Sequence, residues 1–122
     1  MHNITSPRLD DHGIEAEIQA KGKTAPRITP EDVQNNIRYT TFFTAAQGAL
    51  EADGDRGDEA LELLTICVLV LANGFTVTGE SACASPENFD EDIGQKIAYA
   101  NAVNKIWPLM GYELKERLSA KS

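Results

Sequence analysis

Histidine is nearly missing from this chain: His2 and His12 are the only two, both close to the N-terminal end. The interior is thus left without an imidazole, and a Ser-His or Cys-His nucleophile system has no base to use. Cysteine is scarce as well. Cys67 and Cys83 are too few for a disulfide framework or a four-ligand zinc site, and they suit a reducing compartment. Basic residues number eleven against nineteen acidic ones, a net charge of -8, which speaks against binding DNA or RNA. The longest apolar run, Ile66 to Ala72, is too short to cross a bilayer. "MHNITSPRLDDHG" has neither the basic nor the apolar part of a signal peptide. Glycine-rich phosphate loops and metal-ligand spacings are absent too. These gaps lead us to expect a soluble binding protein and not an enzyme, with no cofactor, metal, membrane or nucleic-acid partner.

What remains fits one compact domain of 122 residues. Residues 1–12 read as a flexible polar tail and 13–122 as the domain. In "GIEAEIQAKGK", Ile14 and Ile18 stand one helical turn apart and Gly22 can stop the helix, although the same letters alternate as a strand would. "ITPEDVQNNI" carries a stronger start signal: Thr29 as cap, Pro30 at the first helical position and Asp32 answering Thr29. "RYTTFFTAA" turns β-branched and aromatic, as a strand does. "QGALEADGDRGD", residues 47–58, reads as an acidic surface loop, and "EALELL" as one more helical turn.

"LTICVLVLANGFTVTGES" is the clearest local signal. Asn73-Gly74 suits a two-residue type I′ turn, which pairs Ala72 with Phe75, Val70 with Val77, Leu69 with Thr78 and Cys67 with Glu80. Cys83 then lies level with Leu64, and no disulfide is expected. The first strand is apolar on both sides, whereas the second alternates. One face should therefore pack on helices, and the other should set Leu71, Leu69 and Cys67 beside Thr76, Thr78 and Glu80. So much apolar sheet surface leads us to expect a homo-oligomer. Ile93, Ile97, Ala100, Val103 and Trp107 mark a long amphipathic helix capped by Asp90 and ended or kinked by Pro108, with a short helix after it. The fold class is α+β: a small antiparallel sheet built on the Asn-Gly hairpin, with helices near 14–21, 30–37, 89–107 and 110–119.

"GESACASPENFD" is the stretch with binding chemistry. Ser81, Ser85 and Asn88 offer hydrogen bonds, Phe89 a stacking surface, and the small residues let a ligand approach the backbone. The helix start nearby could hold a phosphate, but Glu87, Asp90, Glu91 and Asp92 already place negative charge there. The cations would come from Arg38, Lys96, Lys105 or another subunit. The plainer alternative is that Ser85-Pro86 and Asp90 only organise the turn into the helix.

"SACASPENFD", "IGQKIA" and "KIWPLMGY" resemble the small phage and prophage family named after gene forty-nine of phage N-four and gene sixty-six of phage Sf-six, over roughly residues 13–120. That resemblance implies a phage accessory protein in the cytoplasm of the bacterial host. The hairpin–loop–helix layout is also similar to the Thoeris anti-defence type-one proteins, oligomeric sponges that sequester cyclic nucleotide signals in pockets between subunits. This second resemblance implies a nucleotide-derived signalling molecule as partner, bound and hidden without being cleaved. It implies a site with Asn88 in the asparagine role, Lys105 as a cation and Phe89 or Phe75 as the aromatic, the strand position nearest the loop being Thr78; Ser81 and Arg38 join these candidates from the chemistry of the loop itself. Two alternatives stand beside it: an acidic inhibitor of a host defence enzyme, and an accessory domain with no small-molecule ligand.

Overall fold

Capping residues decide where the chain changes course. The computed structural model describes residues 11–121. In chain order they form α1 (Asp11–Ala20), α2 (Pro30–Asn35), β1 (Ile37–Thr44), α3 (Ala45–Asp53), β2 (Leu64–Leu71), β3 (Thr76–Ala82) and α4 (Glu91–Ala120), with short 3₁₀ turns at Glu59–Leu63 and Pro86–Asn88. Most of the tail expected over residues 1–12 falls outside the described residues, but Asp11 and His12 open α1.

α1 ends as expected at Gly22. Its positive φ of 69° lets Gly22 N–H reach Gln19 O and Lys23 N–H reach Ile18 O, the paired bonds of a Schellman stop. α2 starts with the Thr29–Asp32 capping box and Pro30 in its first turn. Residues 47–58 differ from expectation. Thr44 and Gln47 form a second reciprocal capping box, so β1 runs straight into α3 where an acidic loop was expected.

The sheet is three-stranded and antiparallel, in the order β1-β2-β3. Its hairpin corrects the sequence reading by one residue. Val70 pairs with Thr76, Leu69 with Val77 and Cys67 with Gly79, and Cys83 N–H reaches Leu63 O. The connection is a three-residue loop, Ala72-Asn73-Gly74. Gly74 N–H closes a turn on Leu71 O, and only Gly74, at φ 91°, takes a positive φ there. Asn73 Oδ1 accepts from Phe75 N–H and fixes this geometry, the three-residue hairpin with its glycine bulge in place of the type I′ turn. A one-residue slip reverses every face. Cys67, Leu69 and Leu71 therefore share the buried side with Val77, Gly79 and Ser81, while Ile66, Val68 and Val70 share the outer side with Thr76, Thr78 and Glu80.

α4 covers the inner side. The core joins Cys67, Leu69, Leu71 and Val77 of the sheet to Ala98, Ala102, Val103 and Ile106 of α4 and Val33 of α2. Gly79 is where helix and strand come closest: a Cβ there would lie 2.2 Å from Ala98 O and 2.3 Å from Ala102 N. Asn101 Nδ2 donates to Glu80 O at 2.8 Å, and Tyr99 Oη meets Gln34 Oε1 at 3.0 Å, tying α4 to β3 and to α2. The expected break at Pro108 does not occur, and α4 is one helix of 30 residues. The proline has no N–H to give to Asn104 O, and Met110, two residues on, still packs against the core. On the outer side α3 packs over Phe43, while Tyr39 at the other end is 59% exposed. No described helix is long and apolar enough to span a membrane.

Candidate functional site

The residues expected to bind a ligand lie in separate parts of one chain. Ser81 is buried under α4, whereas Thr78, three residues earlier, faces outward. Asn88 and Phe89 sit beyond the far end of β3, where Asn88 N–H closes the 3₁₀ turn on Ser85 O. Lys105 is exposed on α4. Lys96 is bonded to Asp92 one turn earlier at 2.9 Å, and that hydrogen bond raises its pKa. Only Arg38 and Phe75 come to the same region, the hairpin tip: Arg38 Nη1 lies 3.5 Å from Ala72 O. The loop between strand and helix is also shorter than expected, because β3 extends through Ala82.

A concavity opens at that tip. It is a groove of about 1010 Å³ between three walls: the segment Pro26–Ile28 with α2, the hairpin turn, and the last turns of α4. Its floor is apolar, from Ile28, Leu71, Leu109, Met110 and Leu114, and Phe75, 56% exposed, stands at its rim. The polar lining is rich in donors. Asn36 Oδ1 accepts from Ala72 N–H and Asn73 Oδ1 from Phe75 N–H, so each amide has its oxygen engaged and its NH₂ to offer. Asn35 adds a third amide.

Two arginines face the groove, each held by a carboxylate of the same chain. Arg117 Nε meets Glu113 Oε2 at 2.6 Å, with both side chains well exposed. Arg27 is paired with Glu15 of α1, and here the side chains are only 24% and 15% exposed. Asp32 uses its carboxylate to cap α2. The lining therefore balances Arg27 and Arg117 against Asp32 and Glu113.

Arg27, Asn35, Asn36, Asn73 and Arg117 were not singled out from the sequence. Asn73 was read only as a turn former. "QNNIR" gives no sign that Asn36 reaches a hairpin turn 36 positions further on.

Neither cysteine joins a disulfide, and burial pushes the Cys67 thiol up to about 11. Among the described residues, no group of three or more His, Cys, Asp or Glu is placed to hold a metal ion.

Comparison with curated proteins and with solved structures gave no match. The model of the Phage protein (N4 Gp49/phage Sf6 gene 66) family matches residues 28–118. That span takes in the sheet, most of α4 and all of the groove except Pro26 and Arg27, and the chain belongs to this phage protein family.

Proposed function

We propose that this phage protein is a non-catalytic binding protein that takes a nucleotide-derived ligand in the groove at the hairpin tip and withholds it from the host. The observation that carries the reading is the lining: an exposed aromatic ring beside amide and guanidinium donors over an apolar floor. A nucleotide offers the matching set, a flat ring to stack on Phe75 and many acceptors for Asn35, Asn36, Asn73 and the arginines. The groove is large enough for a cyclic nucleotide. Hiding such a signal from a host immune pathway is the anti-defence role, that of the Thoeris anti-defence type-one proteins. The residues doing so differ from those carried over by resemblance, since Phe75 alone is common to both sets.

Calorimetry with cyclic ADP-ribose isomers and cyclic dinucleotides tests the reading. At least one should give saturable heat and be recovered intact after the protein is denatured. Phe75→Ala should weaken that binding by about 1–3 kcal/mol, roughly 5- to 150-fold in Kd. Absence of heat with every one of them would overturn the proposal.

A homo-oligomer belongs to the same reading, supported by the half-buried Ile66, Val68 and Val70 on the outer face of β2. Light scattering in dilute solution checks it. A second reading has its own support. Residues 51–62 place six acidic residues against the single Arg56 at one end of the molecule, a surface suited to a basic protein partner. A partner captured from host lysate and lost as salt rises favours that reading.

A further inference from the structure

Arg27 is an unusual lining residue because its bonding is incomplete. Its Nη2 donates to Glu15 Oε2, yet its Nε is buried and has no hydrogen-bond partner among the described residues. A buried donor without an acceptor is costly, and the cost disappears when an acceptor arrives. Glu15, by contrast, is well served, since its Oε2 also receives Gln19 Nε2 at 2.8 Å.

The helix that carries Glu15 is lightly held. α1 lies against α2 but buries none of its residues, and Ile14 is exposed. α1 and Arg27 both precede residues 28–118, the span matched by the phage family. The pair with Arg27 is thus a tie between a lightly held helix and the mouth of the groove.

We propose that Arg27 is the anion-binding residue of the groove and that Glu15 stands in for the ligand until it comes. The inference rests on the nucleotide-binding reading for its ligand class, a phosphate or phosphodiester. The anion accepts from Nε and the outer guanidinium nitrogens together, the two-pronged geometry that a single carboxylate oxygen does not satisfy. Glu15 then returns to water, and α1 detaches from α2. Arg117, on the opposite wall, is free to turn toward the same anion because its own pair with Glu113 is solvent-exposed and weak. Ligand capture and release of α1 become one event.

Hydrogen–deuterium exchange on the full chain tests both halves. Without any ligand, Glu15→Gln should speed exchange across residues 11–20 about tenfold and leave the sheet unchanged. Exchange there equal to wild type would show that the pair does not hold the helix, and would overturn the proposal.

With millimolar inorganic pyrophosphate, wild-type α1 should exchange faster. Glu15→Gln should bind pyrophosphate more tightly than wild type, and Arg27→Gln, checked for native circular dichroism, should not bind it. A nucleotide that binds wild type and Arg27→Gln equally, with α1 still protected, would end the proposal but leave the nucleotide reading standing. Pyrophosphate that frees α1 while no nucleotide binds would support the proposal and defeat that reading. Failure of both probes to bind would defeat the two together.

Discussion

α4 is two helices in its chemistry, although its backbone is one. Every residue it buries, Gly94, Ala98, Ala102, Val103 and Ile106, lies before Trp107. After Pro108 the side chains are exposed or half-buried, and Leu109, Met110, Glu113, Leu114 and Arg117 line the groove. The first half uses small residues to let the helix sit down on β3. The second keeps long side chains that reach across open space. Helices of this length draw their stability from packing, so the first half holds the fold and the second extends from it. The difference teaches where sequence change is tolerated: the sheet-side half has no room, and the groove-side half has room for a ligand.

Substitutions on the two halves should therefore diverge. The largest effect is expected at Gly79, which faces the first half. An added methyl group would meet backbone atoms of Ala98 and Ala102, which cannot turn aside as a side chain would. Gly79→Ala should cost about 4 kcal/mol or more, above the usual range for overpacking, because α4 has to lift off the sheet. Urea denaturation reads this as a fall in midpoint. Ile106→Ala, at a position with no exposure, should cost about 3 kcal/mol by leaving a cavity between α4 and the sheet. An Ile106→Ala loss below about 1 kcal/mol would mean that the first half is not the anchor described.

Cys67, which faces the same half, gives a smaller and pH-dependent signal. Burial lifts its thiol from 9.0 to about 11. The unfolded chain then releases the proton first as pH rises. Stability is whole below pH 9 and declines from there toward pH 11, by roughly 1 kcal/mol at pH 10. Cys67→Ala should flatten that decline in denaturation curves taken at each pH. An unchanged slope in the variant would assign the alkaline loss to other groups.

The sequence disclosed most of the fold and little of the groove, for separable reasons. Caps are local, so Thr29, Pro30 and Asp90 were readable within four letters. The capping box Thr44–Gln47 was equally local, but the acidic letters that follow pointed to a loop. The hairpin was visible in Asn73-Gly74. Its register was not, since Asn-Gly serves two-residue and three-residue loops alike, and the choice lies in the bond from Phe75 N–H to Asn73 Oδ1. From that one residue came the exchange of sheet faces. The groove joins residues 26–36, 71–75 and 109–117, and no short pattern links such distant segments. The small polar loop and the resemblance both drew attention to Asn88 and Phe89, at the opposite end of β3 from the groove. Phe75, a candidate carried by the resemblance, also lines the groove, because the hairpin places it at the tip.

The smallest expected effect on stability separates the halves most sharply. Leu114 is only half-buried and faces the groove, so Leu114→Ala removes contacts whose partner is mostly solvent. It should cost less than about 1 kcal/mol by urea denaturation. Ligand binding should suffer more, because the same side chain is part of the apolar floor under the ring proposed to stack on Phe75. A loss of about fivefold in affinity corresponds to roughly 1 kcal/mol of burial regained only when ligand is present. Ile106→Ala should show the reverse pattern in the folded fraction, with stability lowered and affinity kept. If Leu114→Ala instead lowered stability as much as Ile106→Ala and left affinity alone, the distal turns of α4 would be core, and the open groove would lose one of its walls.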